Sequence, residues 1–259
     1  MRIVSYNILE GGIGRADPIA EVLLAQRADV VGLVEADDPE ILDRIAWRLG
    51  VEYIAAAGPE GRASALLTRG RILESVNHAL LIGASGPRSF LEATVEIDHV
   101  VLPLGVIHLT AQATQERERI RETELAEALH VFRERRAHGE PHVLMGDFNA
   151  NSPVQEIIPE RLKPSSREAL GANGGDLPRR VVRTLLDAGY VDTLAAHDPE
   201  AAAVVGSFTT LHPGQRVDYI FTFGSTRVDA AWVETDRLAK YASDHYPVGC
   251  ELSFSGPGG

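Results

Sequence analysis

Segments with helical periodicity alternate with strand-like segments at both ends of this chain, whereas the stretch from Ser64 to Leu109 offers only short β-rich runs divided by Gly, Pro and Asp. Ile3 to Leu9 reads as a strand. It is followed by the loop Gly11-Gly12-Ile13-Gly14 and by Asp17-Pro18, which read as an N-cap with proline at the first helical position of a helix running to about Arg27. Asp29 to Val34 is nearly all apolar, as a strand buried on both faces should be, and Glu35 stands where it ends. Asp38-Pro39 repeats the cap, and Ile41, Leu42, Ile45, Ala46 and Leu49 make a helical stripe. The middle, with Ser64 to Thr68, Phe90 to Ile97 and Leu104 to Leu109 as strands, reads as an antiparallel meander without room for helices. A helix from about Thr114 to Arg136, a strand ending at Asp147, a helix from Arg180 to Ala188 closed by Gly189, and strands at Val217 to Phe223, Val228 to Val233 and Val248 to Phe254 complete the pattern. Residues 151 to 178, rich in Pro, Ser, Gly and Asn, read as an irregular insertion. Strands bracketing helices twice over predict two mixed sheets packed face to face with helices outside, a four-layer α/β/β/α sandwich.

A length of 259 residues and 44% apolar content suit one hydrophobic core, so a single domain over 1 to 259 is expected, with a flexible tail at 255 to 259. No apolar run approaches the roughly 18 residues of a membrane helix, and Met1-Arg2 leads directly into Ile3-Val4 without a signal-type segment; a cytoplasmic, monomeric protein is the expectation. The lone Cys250 excludes an internal disulfide framework and reads as a small buried residue of the last strand. Thirty-seven acidic against twenty-five basic residues give a net charge of −12, a field that opposes indiscriminate binding of long nucleic acid. Glu116 to Arg136 holds six acids and six arginines, with Ile120, Leu125, Ala128, Leu129 and Phe132 along one side, the pattern of a solvated helix laced with ion pairs.

Two triplets carry the chemistry. Asp147-Phe148-Asn149 follows the apolar run from His142 to Met145, and alternation along an extended chain points its carboxylate and carboxamide the same way. Ser243-Asp244-His245 sets a carboxylate beside a group that exchanges a proton near neutral pH. Glu35 ends an apolar strand, where a carboxylate needs a cation or hydrogen bonds, and a hard ion such as Mg²⁺ binds through one or two such groups; the alternative is a surface turn with Asp37 and Asp38. Asn7 stands in the first strand and His108 at a strand tip. Asp218 is the one acid among Val217, Tyr219, Ile220 and Phe221, and His245 is its natural partner. His78, His99, His130, His138, His142, His197 and His212 read as structural or surface residues in turns or helices, without a carboxylate partner.

Asn7, Glu35, His108-Leu109, Gly146-Asp147-Phe148-Asn149, Arg216-Val217-Asp218-Tyr219-Ile220 and Ser243-Asp244-His245-Tyr246-Pro247 occur in the order that resembles the endonuclease/exonuclease/phosphatase superfamily, over residues 3 to 254. The resemblance implies a Mg²⁺-dependent phosphoesterase, Mn²⁺ being an alternative ion, with Glu35 as principal metal ligand assisted by Asn7 and Asp244. It further implies that Asp147 orients or deprotonates the attacking water, that Asn149 holds a phosphate oxygen, that His245 oriented by Asp218 acts on the phosphate, and that His108 stabilises the transition state or protonates the leaving oxygen. Whether Asp147 or His245 is the general base stays open at this level. Arg88 is a candidate phosphate contact, a surface salt bridge being the alternative. The chain departs from the apurinic endonucleases at Leu9, where they carry an acid, and from most members at Val34, where they carry glutamine; His108 places it nearer the deoxyribonuclease, sphingomyelinase and deadenylase branches.

Three other functions compete. A dinucleotide site at the N-terminal glycine loop fails because Asp17 stands where a third Gly or Ala is needed. A non-catalytic module with this fold would leave catalytic positions vacant, and all are filled. A phosphomonoesterase is the third, and the charge balance favours a small or single-stranded phosphodiester.

Overall fold

The computed structural model describes residues 1–254 and consists of two six-stranded mixed sheets packed face to face with helices on both outer sides, the predicted α/β/β/α sandwich. In chain order the elements are β1 (Arg2–Asn7), α1 (Ala16–Gln26), β2 (Val30–Val34), α2 (Pro39–Leu49), β3 (Glu52–Ala57), β4 (Ala63–Thr68), β5 (Arg71–Asn77), α3 (His78–Ile82), β6 (Ser89–Ile97), β7 (Val100–His108), α4 (Gln115–Val131), α5 (Arg133–Ala137) and β8 (His142–Asp147). They continue with α6 (Pro164–Ala172), α7 (Arg180–Asp187), β9 (Val191–Asp192), α8 (Thr193–His197), α9 (Pro199–Val204), β10 (Asp218–Phe223), β11 (Thr226–Val233), α10 (Arg237–Ala242) and β12 (Val248–Phe254). The first sheet has the order β11-β12-β1-β2-β4-β3 and the second β5-β6-β7-β8-β10-β9. Each carries one parallel pair at its centre, β1 with β2 and β7 with β8, so the shared rhythm of the two halves is a shared topology.

Between the sheets Ile3, Val30, Val34 and Leu66 meet Leu91, Leu104, Val106, Val143 and Met145. The sheets approach closely at Gly32, where a Cβ would come within 2.7 Å of Met145 Cε. The outer face of the first sheet packs on α1, α2 and α10, and that of the second on α4 and α7. Cys250 is fully buried on β12, as expected.

Several local expectations change. Asp17 does not cap α1; it lies in the first turn and binds Arg44 and Arg48, whereas Asp38 does cap α2 by accepting from the amides of Glu40 and Ile41. The middle divides between the sheets: β3 and β4 form a hairpin of the first sheet, β5-β6-β7 form the meander of the second, and the short helix α3 sits in the connection from β5 to β6. The charged helix breaks at Phe132 into α4 and α5. Its inward face also differs from the expected stripe, since Ile120 is exposed while Glu118 and Arg121 are fully buried. Residues 151 to 178 are not wholly irregular: they contain α6 and a helical turn at Pro159–Arg161, gathered around Leu162, Leu170 and Leu177. The expected tail, residues 255 to 259, lies outside the described residues.

Two of the seven histidines set aside as partnerless surface or turn residues are built into the fold. His78 Nε2 lies 2.7 Å from Glu92 Oε2, and His138 reaches Glu140 only at 4.0 Å. His142 begins β8, stacks on Phe132 and Phe223, and bridges the Glu140 carbonyl and the Tyr190 hydroxyl, each at 2.8 Å. Burial pushes its pKa down to about 4, so the folded protein holds this ring neutral. An unfolded histidine takes a proton near 6.5, so the stabilisation is complete above that value and is lost as the pH falls toward 4. Folding free energy is therefore expected to drop by about 2 kcal/mol between pH 7 and pH 5 from this residue alone. In urea titrations at the two pH values His142→Phe should show a correspondingly smaller drop, and an unchanged drop would remove His142 as its source.

Candidate active site

Strand register brings the second sheet's polar residues into one row. His108 on β7 lies opposite Asp147 on β8, and Asp147 lies opposite Asp218 on β10. Only glycine can precede Asp147: Gly146 has φ 138°, and a Cβ there would sit 1.9 Å from the Ile107 carbonyl oxygen. In the first sheet Asn7 and Val34 end the parallel pair side by side, which puts Glu35 at the same edge of the sandwich. Glu35 and Asn149 both adopt left-handed backbone, with φ 55° and 49°, so each chain turns sharply as its polar residue leaves the strand region.

The two sheets are joined through Asn7, whose Nδ2 stands 3.4 Å from Glu35 Oε1 and 3.2 Å from Asp147 Oδ2 while its Oδ1 accepts from the Leu9 amide. The same Asp147 oxygen is 3.6 Å from His108 Nε2 and 3.8 Å from His245 Nε2. His245 Nδ1 is 2.8 Å from Asp218 Oδ2, which realises the expected pair. The amides of Val217 and Asp218 both donate to Ser207 Oγ, and the Ser243 hydroxyl donates to the Asn7 carbonyl while accepting from the His245 amide, so the loop carrying Asp244 and His245 is tied to the first strand. Asn149 donates its amide to Asp147 Oδ1 and its side chain to the Leu109 carbonyl.

All the residues expected in the site are thus found around one edge, with Arg88 at its flank. Arg88 Nη1 lies 3.5 Å from His108 Nε2, and among the described residues it pairs with no carboxylate, which leaves the salt-bridge alternative without support. Glu35 does open a turn with Asp37, but its carboxylate is not free at the surface: Oε2 accepts from the Glu10 amide at 2.9 Å and from Arg62 at 3.2 Å, and Arg62 also binds Asp37. The sequence reading missed Arg62, Ser207, Phe208 and Lys163, and named Ser243 without giving it a role. Phe208, whose ring centroid is 4.6 Å from that of His245, and Lys163 come from segments with no periodic signal. Ser243 alone was visible, beside the acid and histidine it positions.

Burial and neighbouring charge set the protonation states. Burial pushes Asp147 up, Asp218 adds to the effect, and His245, the Asn149 amide and Asn7 oppose it, leaving the carboxyl at about 7. His245 moves the other way: burial opposes its charge, but Asp218, Asp147 and Asp244 outweigh it and raise the pKa to about 10, so this ring carries both protons at neutral pH. His108 is held neutral by burial, with Arg88 and His245 reinforcing. Burial opposes the charge of Glu35, yet His108, the Glu10 amide, Arg62 and Asn7 more than offset it and keep the carboxyl below its ordinary range.

Asp147, Asp218 and His245 can each offer a ligand atom within 4.8 Å of one another, a buried cluster consistent with a divalent-metal site. Asp218 Oδ1 and Asp244 Oδ1 are both buried without a hydrogen-bond partner among the described residues, acceptors that a cation would satisfy. The donors at this edge are mostly carboxylate and amide oxygens, the set a hard ion prefers.

The sequence from residue 4 to residue 245 matches the model of the endonuclease/exonuclease/phosphatase family. The chain belongs to that family. Among solved structures, the fold of this family member is similar to that of a 3′ phosphatase from Neisseria bound to a product DNA hairpin (TM-score 0.72, 19% identity, 98% of this chain and 100% of that one). It is similar to a conserved protein of unknown function from Enterococcus faecalis (TM-score 0.72, 17% identity, 98% and 100%). A mannosyl-6-phosphatase from Bacteroides thetaiotaomicron also shares it (TM-score 0.67, 20% identity, 98% and 100%). No curated protein matches the sequence. Family membership and the buried cluster together support a metal-dependent phosphoesterase-type activity at the level of the superfamily, without specifying a substrate. No helix among the described residues is long and apolar enough to cross a membrane.

Proposed function

We propose that the protein is a Mg²⁺-dependent phosphodiesterase that cleaves a P–O bond by attack of water, with Asp147 as the general base. The observation that carries this reading is the convergence of Asn7, His108 and His245 on a single Asp147 oxygen. Glu35, Asn7 and Asp244 would hold the ion, with Mn²⁺ as a possible substitute; when bound it supplies charge neutralisation at the phosphate. Asp147, near half-ionised at neutral pH, can take a proton from water. His245 already carries both protons, so it acts as a donor to a phosphate oxygen, and Asp218 fixes its orientation. His108 presents a neutral ring beside Arg88, and the pair faces charge that develops on the phosphate. Asn149 is anchored by its side chain to the Leu109 carbonyl and would present its amide face to a phosphate oxygen.

A diester is favoured over a polyanionic substrate because the chain carries a net charge of −12. The chemistry of the similar folds, a 3′ phosphatase and a mannosyl-6-phosphatase, makes monoester cleavage the second reading. Metal-stripped protein is expected to hydrolyse bis-p-nitrophenyl phosphate only after Mg²⁺ or Mn²⁺ is restored, and faster than p-nitrophenyl phosphate. Preference for the monoester would replace the diester reading, and equal turnover with and without chelator would end the metal-dependent one.

A further inference from the structure

A pocket of about 430 Å³ opens beside Asn149, outside the row of catalytic groups, and falls in the size range of roughly 300–1,000 Å³ typical of small-molecule sites. Ala111, Ala113, Ala169 and Val217 give it an apolar wall, Gln112, Gln215 and Ser166 contribute neutral polar groups, and Lys163 is its one charged residue. Lys163 is half-buried and forms no hydrogen bond or ion pair with a described residue; its Nζ rests 4.1 Å from the centroid of Phe208, the ring that packs on His245. Burial lowers its pKa, and the charges it faces are Asp244 and Asp147 of the catalytic edge. An ammonium half-withdrawn from water on an aromatic face, with no carboxylate at ion-pair distance among the described residues, is free to pair with an incoming anion.

Both sides of the pocket are fixed before any ligand enters. Lys163 and Ala169 belong to the α6 region, which packs through Leu162 and Leu170 and is tied by Asn173 Nδ2 to the carbonyl of the pocket residue Ala113 at 2.7 Å. Opposite, the buried Arg121 holds the carbonyls of Thr110 and Gln112 at 2.8 and 2.7 Å while pairing with Glu118, and Glu124 receives the Thr110 amide. A single cation among neutral walls suits one phosphate carrying an uncharged, hydroxyl-bearing organic group, and gives a polyphosphate nothing further to pair with.

We propose that Lys163 and this pocket form the specificity subsite of the enzyme, with the pocket receiving a neutral nucleoside- or sugar-sized group of the substrate and the Lys163 ammonium pairing with its phosphate. The inference rests on the phosphoesterase reading for the identity of the anion, and it is tested by binding so that the two can fail separately. Calorimetric titration of the full chain with thymidine 5′-monophosphate, mannose 6-phosphate and inorganic phosphate is expected to show at least one organic phosphate binding about tenfold or more tighter than inorganic phosphate. The organic ligand that does so distinguishes nucleoside from sugar. Ala169→Trp, which fills the pocket, should bring that ratio close to one. Lys163→Met should weaken all three ligands by about ten- to a hundredfold, as loss of a charge-assisted contact does, with Lys163→Arg recovering most of it. Organic phosphates that bind no tighter than inorganic phosphate, or a preference that survives Ala169→Trp, would overturn the subsite. Turnover of bis-p-nitrophenyl phosphate without the binding preference would sink the subsite and spare the phosphoesterase reading, and the preference without turnover would do the reverse.

Discussion

His245→Ala is expected to lower kcat for metal-dependent diester hydrolysis by about three orders of magnitude, the middle of the range of 10²–10⁴ for a positioned proton donor. The size of the effect follows from how many groups this ring holds apart. Its Nδ1 is 2.8 Å from Asp218 and its Nε2 3.8 Å from Asp147, so the imidazolium is the positive charge between two fully buried carboxylates. Without it Asp147 faces Asp218 directly, and like charges in a dry site drive one of them to take a proton. Under the proposed mechanism the variant would lose the donor and part of the base in one step. Asp218→Asn should reduce kcat less, because the ring stays in place but loses the carboxylate that keeps it charged, and its activity should fall off at lower pH on the alkaline side than that of the parent. Steady-state kinetics across pH, with circular dichroism melts to verify folding, check both variants. Turnover of His245→Ala within tenfold of the parent would remove the ring from the chemistry.

How much of this was legible in the sequence depended on whether a residue's role is local. Asp38 announces its cap because capping is decided within three residues, and β2 announces its burial because all five of its residues are apolar. The row His108, Asp147, Asp218 was readable as three polar residues, each beside an apolar strand, and the order of the motif blocks joined them. Arg121 was misread for the opposite reason. In a helix crowded with charge nothing marks which arginine turns inward, and its partners, the carbonyls of Thr110 and Gln112 and the carboxylate of Glu118, are a property of the loop packed beneath it. Lys163 and Phe208 belong to the same class, since their meeting depends on how residues 151 to 178 fold over the sheet edge. Similarly β3 and β5 lack strict alternation because half-exposed edge strands carry Glu, Arg and Ala with little cost.

Removal of divalent metal is expected to abolish turnover, and Glu35→Gln should reduce kcat/KM by about a thousandfold at fixed Mg²⁺, an effect on the scale of losing the charge that anchors a catalytic ion. Glutamine is the informative replacement because it separates charge from scaffold. Its oxygen can still accept from the Glu10 amide, and Arg62 keeps Asp37 at 2.9 Å, so the melting temperature should shift by about 5 °C or less. What changes is a carboxylate that its neighbours hold below its ordinary range, whereas those of Asp147 and Asp244 are both raised. A hard cation competes with protons for carboxylate oxygens, so the ligand that has already lost its proton binds first, and its loss should appear as weaker Mg²⁺ affinity in a calorimetric titration independent of any substrate. The alternative geometry is the buried group of Asp147, Asp218 and His245. An ion ligated there by His245 would have to displace one of the two ring protons, so its binding would release a proton and would be indifferent to residue 35. Chelator-sensitive activity with unchanged Mg²⁺ affinity in Glu35→Gln, accompanied by proton release on metal addition, would move the metal from Glu35 to that cluster.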